Sequence, residues 1–216
     1  MPFPTDNLRS PAALARFLLT TFIGLGLDLW SKKHAFANLA AGSPFLGKGE
    51  DDRIHWYVRM KDELLLTDGY PLISGWLHFK VTVNEGAVFG LGQGQKWLFL
   101  IISVAAIGFL TYLFTTSGRQ RFYQFVLGLL LAGVLGNMYD RFRFGYVRDM
   151  IDGLPGWHWP GSSREVFPWI FNVADVMLCV GVGLIFLYSL FGLRNPKAKT
   201  EECTEAPRHE GTKGNA

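Results

Sequence analysis

The chain has 216 residues, 49% of them hydrophobic and 15% aromatic, with a mean hydropathy of +0.18. That is too apolar for an ordinary soluble domain and points to a membrane protein with a modest extramembrane part. The formal net charge is only +3, and the basic residues form no stripe or cluster, which argues against a nucleic-acid partner.

A helix needs about 20 mostly apolar residues to cross a bilayer. The first candidate runs from about Ala12 to Trp30. Ala35-Phe36-Ala37 has the small-residue pattern of a leader cleavage site, but the polar stretch Asp28 to His34 separates it from the apolar run. The segment is therefore expected to remain as an uncleaved helix. In the long connection 31–96, Ile54–Val58 and Trp76–Val83 are rich in β-branched and aromatic residues and are expected to be strands, with Asp68-Gly69 as a turn. A small sheet on the membrane surface follows from that pattern. The second span, Trp97–Phe114, carries no charge. The third, about Phe122–Tyr139, is the weakest, because Gln124 and Gly136-Asn137 interrupt it. The fourth runs from about Trp169 to Leu193. Trp30, Trp97, Tyr139 and Trp169 mark interfacial ends. The polar tail from Asn195 is expected to be disordered. Cys179 and Cys203 show no disulfide or metal spacing.

Arg9, Arg16, Arg119, Arg121 and the basic start of the tail fall on one side of a four-span chain. Short basic loops face the cytoplasm, so both ends are expected inside and the connections 31–96 and 140–168 outside.

The polar residues that need explaining gather at the outer ends of these spans. Asp28 and Lys32 share a helix face at i, i+4. Asn84-Glu85-Gly86-Ala87-Val88-Phe89-Gly90 follows the second expected strand, and by itself it reads as an ordinary re-entry loop. Asn137, Asp140 and Arg141 face one direction near hydrocarbon and therefore need partners. Asp149 lies just beyond the third span. Asn172 and Asp175 begin the fourth. The helix macrodipole favours an Asp in a first turn, but that does not account for one placed within an apolar run. Two carboxylates brought together can share one proton and activate water. On these residues alone, a proton relay through the same aspartates stays open. The chain lacks the inverted repeats and broken helix pairs common in carriers. There is no G-x-S-x-G elbow. His34, His55, His78, His158 and His209 have no metal-ligand spacing.

Four blocks in this order resemble the lipoprotein signal peptidase family, also called signal peptidase II. They are Asp28-Leu29-Trp30-Ser31-Lys32, Asn84-x-Gly86-Ala87-x-Phe89-Gly90, Gly136-Asn137-x-x-Asp140-Arg141 leading to Gly145-x-Val147-x-Asp149, and Phe171-Asn172-x-Ala174-Asp175. The resemblance implies a mostly α-helical membrane protein of four spans. The peptidase domain would cover 12–193, with a periplasmic β-rich loop at about 42–90. A cytoplasmic N-terminus would cover 1–11 and a disordered cytoplasmic tail 194–216. It implies a monomeric intramembrane aspartic peptidase of the bacterial inner membrane, in contact with membrane lipids and with its site near the periplasmic face. Such an enzyme cuts prolipoproteins just before a cysteine that already carries a diacylglyceryl group, and no metal or organic cofactor is implied. By resemblance the dyad is Asp149 and Asp175. Asn84, Gly86, Asn137, Asp140, Arg141, Asn172 and Ala174 match positions that hold substrate or brace the dyad, and Asp28 with Lys32 matches a structural pair. Arg148 stands where the family usually has a small apolar residue and Met150 where Phe is usual. A cation beside Asp149 is expected to favour its ionised form. The G-x-G-D signature of presenilin-like proteases is absent. The outer loop 42–75 and the stretch 153–165 are longer than the family pattern suggests.

Overall fold

The computed structural model describes residues 7–39, 69–86, 94–117 and 120–190. The expected strand 54–58, Asp68 of the expected turn, the block residues Ala87, Phe89 and Gly90, Cys203 and the tail from Asn195 lie outside the described residues.

Four helices are long and apolar enough to cross a membrane: α1 (Pro11–Leu39), α2 (Lys96–Thr116), α3 (Arg121–Phe144) and α4 (Val173–Leu190). A four-stranded antiparallel sheet joins them: β1 (Tyr70–Ile73), β2 (Leu77–Asn84), β3 (Val147–Gly153) and β4 (Ile170–Phe171), in the order β1-β2-β3-β4. This is the mostly helical membrane fold with a small sheet that the sequence suggested.

The central helix is α3. Its apolar window is 56% buried, against 28% for α1 and 17% each for α2 and α4. That position explains why its sequence reads as the weakest span. It faces protein rather than lipid, so it can carry polar and small residues. Gln124 is fully buried near the first turn of α3. Its Nε2 donates to Asn7 Oδ1 at 2.9 Å, and its Oε1 accepts from Arg16 Nε at 2.9 Å. Asn7 Nδ2 in turn donates at 2.7 Å to the Phe114 carbonyl in the last turn of α2, which also accepts from Ser117 Oγ at 3.2 Å. Phe17 stacks on Phe114 with ring centroids 4.2 Å apart, over Leu127, Leu130 and Leu131.

Three helix ends differ from the sequence expectation. α1 continues past Trp30 to Leu39. The polar stretch does not end the helix, because Asp28 and Lys32 are fully buried and paired with each other at 2.8 Å. α3 continues past Tyr139 to Phe144 and stops at Gly145, whose φ of +89° suits glycine and whose N–H donates to the Arg141 carbonyl at 3.1 Å. α4 begins at Val173, four residues after Trp169, because Ile170 and Phe171 are occupied in pairing with Asp152 and Ile151 of β3.

The sheet sits where these helices end. Ala35 of α1 packs on Val81 and Met150, and β4 leads directly into α4. β2 lies one residue from its expected bounds. Among the described residues its hairpin partner is β1, joined through Ser74-Gly75-Trp76. β3 was not foreseen. Val147 through Met150 are all buried, so the alternation that marks a half-buried strand is missing. The segment after β3 is ordered against the hairpin. Leu154 N–H donates to the Trp76 carbonyl at 2.8 Å, and Trp157 Nε1 donates to the Gly75 carbonyl at 2.8 Å.

Candidate active site

The site forms where α1, α3, α4, β2 and β3 converge. Asp149 lies on β3 opposite Thr82 of β2 and is 1% exposed. Its Oδ1 accepts from Asn172 Nδ2 at 2.6 Å, and Asn84 supplies a second side-chain hydrogen bond. Burial, followed by the charge of Asp175, pushes its carboxyl up to about 7. The bonds from Asn172 and Asn84 and the charge of Lys32 oppose that rise without cancelling it.

Asp175 occupies the first turn of α4 and is less buried. It forms a reciprocal capping box with Asn172, the residue just before the helix. Asp175 N–H donates to Asn172 Oδ1 at 3.0 Å, and Asn172 N–H donates to Asp175 Oδ2 at 3.2 Å. The other oxygen, Oδ1, accepts from Asn137 Nδ2 at 2.8 Å. Asn172 thus touches both aspartates. Its Oδ1 is committed to a backbone N–H, so its Nδ2 must be the atom that meets Asp149.

Beneath this pair lies a buried ionic cluster. Lys32 Nζ is 2.8 Å from Asp28 Oδ2 and 3.3 Å from Asp140 Oδ2, and it donates to Asn137 Oδ1 at 3.1 Å. Asn172 Nδ2 reaches the same Asn137 Oδ1 at 3.2 Å. Asp28 Oδ1 accepts from the Ala174 N–H at 2.9 Å, so a carboxylate of α1 satisfies a free donor in the first turn of α4. The approach is close enough that a Cβ on Gly136 would press into the Asp28 carboxylate and lie 3.3 Å from the Ala174 Cβ. Asp140 accepts from Arg148, with Nη2 to Oδ1 at 2.7 Å.

Asn84, Gly86 and Arg141 are linked by hydrogen bonds. Asn84 Oδ1 accepts from the Gly86 N–H at 3.0 Å, and the Gly86 carbonyl accepts from Arg141 Nη2 at 3.0 Å. The Arg141 guanidinium lies 4.7 Å over the Phe99 ring and attracts both Asp175 and Asp149. Its Nε is buried and has no hydrogen-bond partner among the described residues.

The structure therefore brings Asp28, Lys32, Asn84, Gly86, Asn137, Asp140, Arg141, Asn172, Ala174 and both aspartates to one place. Arg148 does not lie against Asp149, because successive strand residues point to opposite faces and its guanidinium is bound to Asp140. Sequence reasoning missed Arg148 as a buried partner and Thr82 as the neighbour of Asp149. It also missed the capping box, although Asn172-x-x-Asp175 carried its spacing.

The model of the signal peptidase (SPase) II family matches residues 20–191. A lipoprotein signal peptidase of Halalkalibacterium halodurans is 38% identical over 136 residues, covering 62% of this chain and 81% of its own. One from Rhodopirellula baltica is 32% identical over 212 residues, covering 93% of this chain and 85% of its own, so that similarity extends through the long outer loop. A solved bacterial membrane enzyme is 30% identical, with a TM-score of 0.49 over 72% of this chain and 89% of its own. With most of its length matched, from the end of the first span's opening turns to the end of the fourth, the chain belongs to the signal peptidase II family.

Proposed function

We propose that this chain removes the signal peptide from diacylglyceryl-modified prolipoproteins, cutting just before the lipidated cysteine, with Asp149 and Asp175 as its catalytic pair. The observation that carries the reading is the Asn172 bridge. One side chain holds a buried carboxyl on β3 and a helix-start carboxyl on α4 in a single constellation. The position at one end of four spans suits a substrate whose acyl chains stay in hydrocarbon while its peptide meets water.

Asp149 is assigned the shared proton, since burial favours its neutral form, and Asp175 is assigned the role of base. Asp175 takes a proton from water as the water oxygen attacks the scissile carbonyl carbon. Asp149 gives its proton to the carbonyl oxygen, leaving a tetrahedral gem-diol. Asp149 then recovers a proton from one hydroxyl while Asp175 delivers its proton to the departing nitrogen. The C–N bond breaks, and both aspartates return to their starting states. Arg141 Nε is the donor we assign to a substrate carbonyl, since it is buried and unpaired among the described residues. Asp28, Lys32 and Asp140 are fully buried and are assigned to bracing. The protein is taken to act as a monomer in the bacterial inner membrane among its lipids, with both ends cytoplasmic and the site near the periplasmic face.

The direct test is cleavage by the purified chain in detergent, with products located by mass spectrometry. A cut immediately before the diacylglyceryl-cysteine, and little cutting of the same precursor without the lipid, is expected. Equal cutting of both precursors, or none by folded protein, would contradict the reading.

A further inference from the structure

Arg148 is a buried cation that this scheme leaves unused. It is 9% exposed. Its Nη2 donates to Asp140 Oδ1 at 2.7 Å, its Nε lies 3.2 and 3.3 Å from the two Asp140 oxygens, and its backbone N–H donates to Asp140 Oδ2 at 3.0 Å. The guanidinium lies 4.5 Å over the Phe144 ring, and 5.9 Å separates it from the centroid of Phe36. Such a clamp fixes both the strand and the carboxylate it holds.

Asp140 is shared. Lys32 takes its Oδ2 at 3.3 Å while also holding Asp28 and donating to Asn137, whose amide donates to Asp175. A continuous line of contacts therefore runs Arg148–Asp140–Lys32–Asn137–Asp175. Two carboxylates, Asp28 and Asp140, meet two cations, Lys32 and Arg148, and the cluster is neutral. Without Arg148, one lysine would serve two buried carboxylates next to a pair that already carries a negative charge. The charged groups that face the pair are Asp28 and Lys32 from α1, Asp140 and Arg141 from α3, and the two aspartates themselves. β2 presents the uncharged Thr82 and Asn84, with Glu85 in the turn beyond. Tyr146 precedes β3, and its hydroxyl is pushed up to about 12, chiefly by burial, so it stays neutral.

We infer that Arg148 is a positioning residue for the peptidase reaction. By neutralising Asp140 it leaves Lys32 free to hold Asn137 against Asp175, and it thereby sets the pH range in which the aspartate pair keeps its single proton. The inference rests on the reading of Asp149 and Asp175 as the catalytic pair. Its sign is definite. Loss of the positive charge disfavours the ionised forms of the pair, so both limbs of the activity profile move to higher pH.

The test is the pH profile of kcat/KM for Arg148→Met, Arg148→Gln and Arg148→Lys on the lipidated precursor, with folding of each followed by thermal unfolding. The two neutral variants should shift both limbs upward, by about one pH unit. They should also lose about tenfold in kcat as Asn137 loosens, with KM little changed. The lysine variant should keep the native profile position. A native profile in either folded neutral variant would overturn the inference. So would failure of both neutral variants to fold while the lysine variant folds, since Arg148 would then be a structural clamp only. Cleavage by Asp149→Asn or Asp175→Asn in the same assay would remove the pair itself, a failure separate from anything measured at Arg148.

Discussion

Burial raises the Asp149 carboxyl, and that has a consequence for stability. Its carboxyl titrates near 7 in the folded chain, against an ordinary 3.8. A raised value means that the folded state binds the proton more tightly than the unfolded one. The contribution is fully present below pH 3.8 and is lost as pH rises through about 7. Over that window it amounts to about 4 kcal/mol, taking about 1.4 kcal/mol per pH unit. Asp149→Asn removes the titration while keeping the shape. The variant should therefore unfold at a higher temperature than the native chain at pH 8, with little difference at pH 4, as read by thermal unfolding in detergent. Equal differences at both pH values would contradict a buried neutral carboxyl. Asn172 offers a cleaner separation of fold from chemistry. Serine at this position still caps α4 but has no amide to donate to Asp149. Asn172→Ser should keep its unfolding temperature within a few degrees and lose roughly a hundredfold in kcat, the scale of a misplaced reacting group. A variant with near-native kcat would show that the Asn172–Asp149 bond does not matter for turnover.

Among the elements, α3 bears the most constraint. Gly136 lets the Asp28 carboxylate and the start of α4 reach it. Gly136→Val would drive α1 and α4 apart at the ion pair. It should lower stability by about 1–3 kcal/mol, the usual range for overpacking, and reduce cleavage with it. Unchanged unfolding would mean that the helices do not meet as described. How much of this was legible in the sequence depended on where each element is buried. The four spans announced themselves through their lipid-facing residues, such as Phe22, Ile101, Phe109 and Phe186. α1 was read too short because a buried Asp–Lys pair looks like a water boundary until its partners are known. β3 was invisible because a strand covered on both faces has no period. β4 was read as the start of α4 because Trp169 to Phe171 is apolar in either state. The residues of the site were legible one by one, as polar groups that hydrocarbon should not tolerate. Their pairing was not, since Lys32 meets Asn137 and Asp140 across more than a hundred positions of chain. Arg148 was misjudged for the simplest reason. Adjacency in sequence is not adjacency on a strand.

At the scale of the molecule, the helix ends, the sheet and the ordered segment after β3 share one side of the spans. Lys96 at the start of α2 donates to the Phe142 carbonyl at 3.2 Å, which places the entry to α2 beside the exit of α3. If that side is periplasmic, a cysteine at the exposed Ser162 should react with an impermeant maleimide in spheroplasts. One at Gln120, on the opposite side, should react only after permeabilisation. Both would be made in a chain with Cys179 and Cys203 replaced by serine. The reverse pattern would invert the topology. The central claim is that two aspartates on different elements form one catalytic unit. Single-turnover cleavage of a diacylglyceryl-modified prolipoprotein by folded Asp149→Asn and Asp175→Asn tests it most directly. Each change alone should reduce the rate by at least about a thousandfold, and the double variant should be little slower than either single one, as for residues that act together. A folded single variant that still cleaves at a substantial fraction of the native rate would contradict the claim, and Asp140 would be the next aspartate to examine.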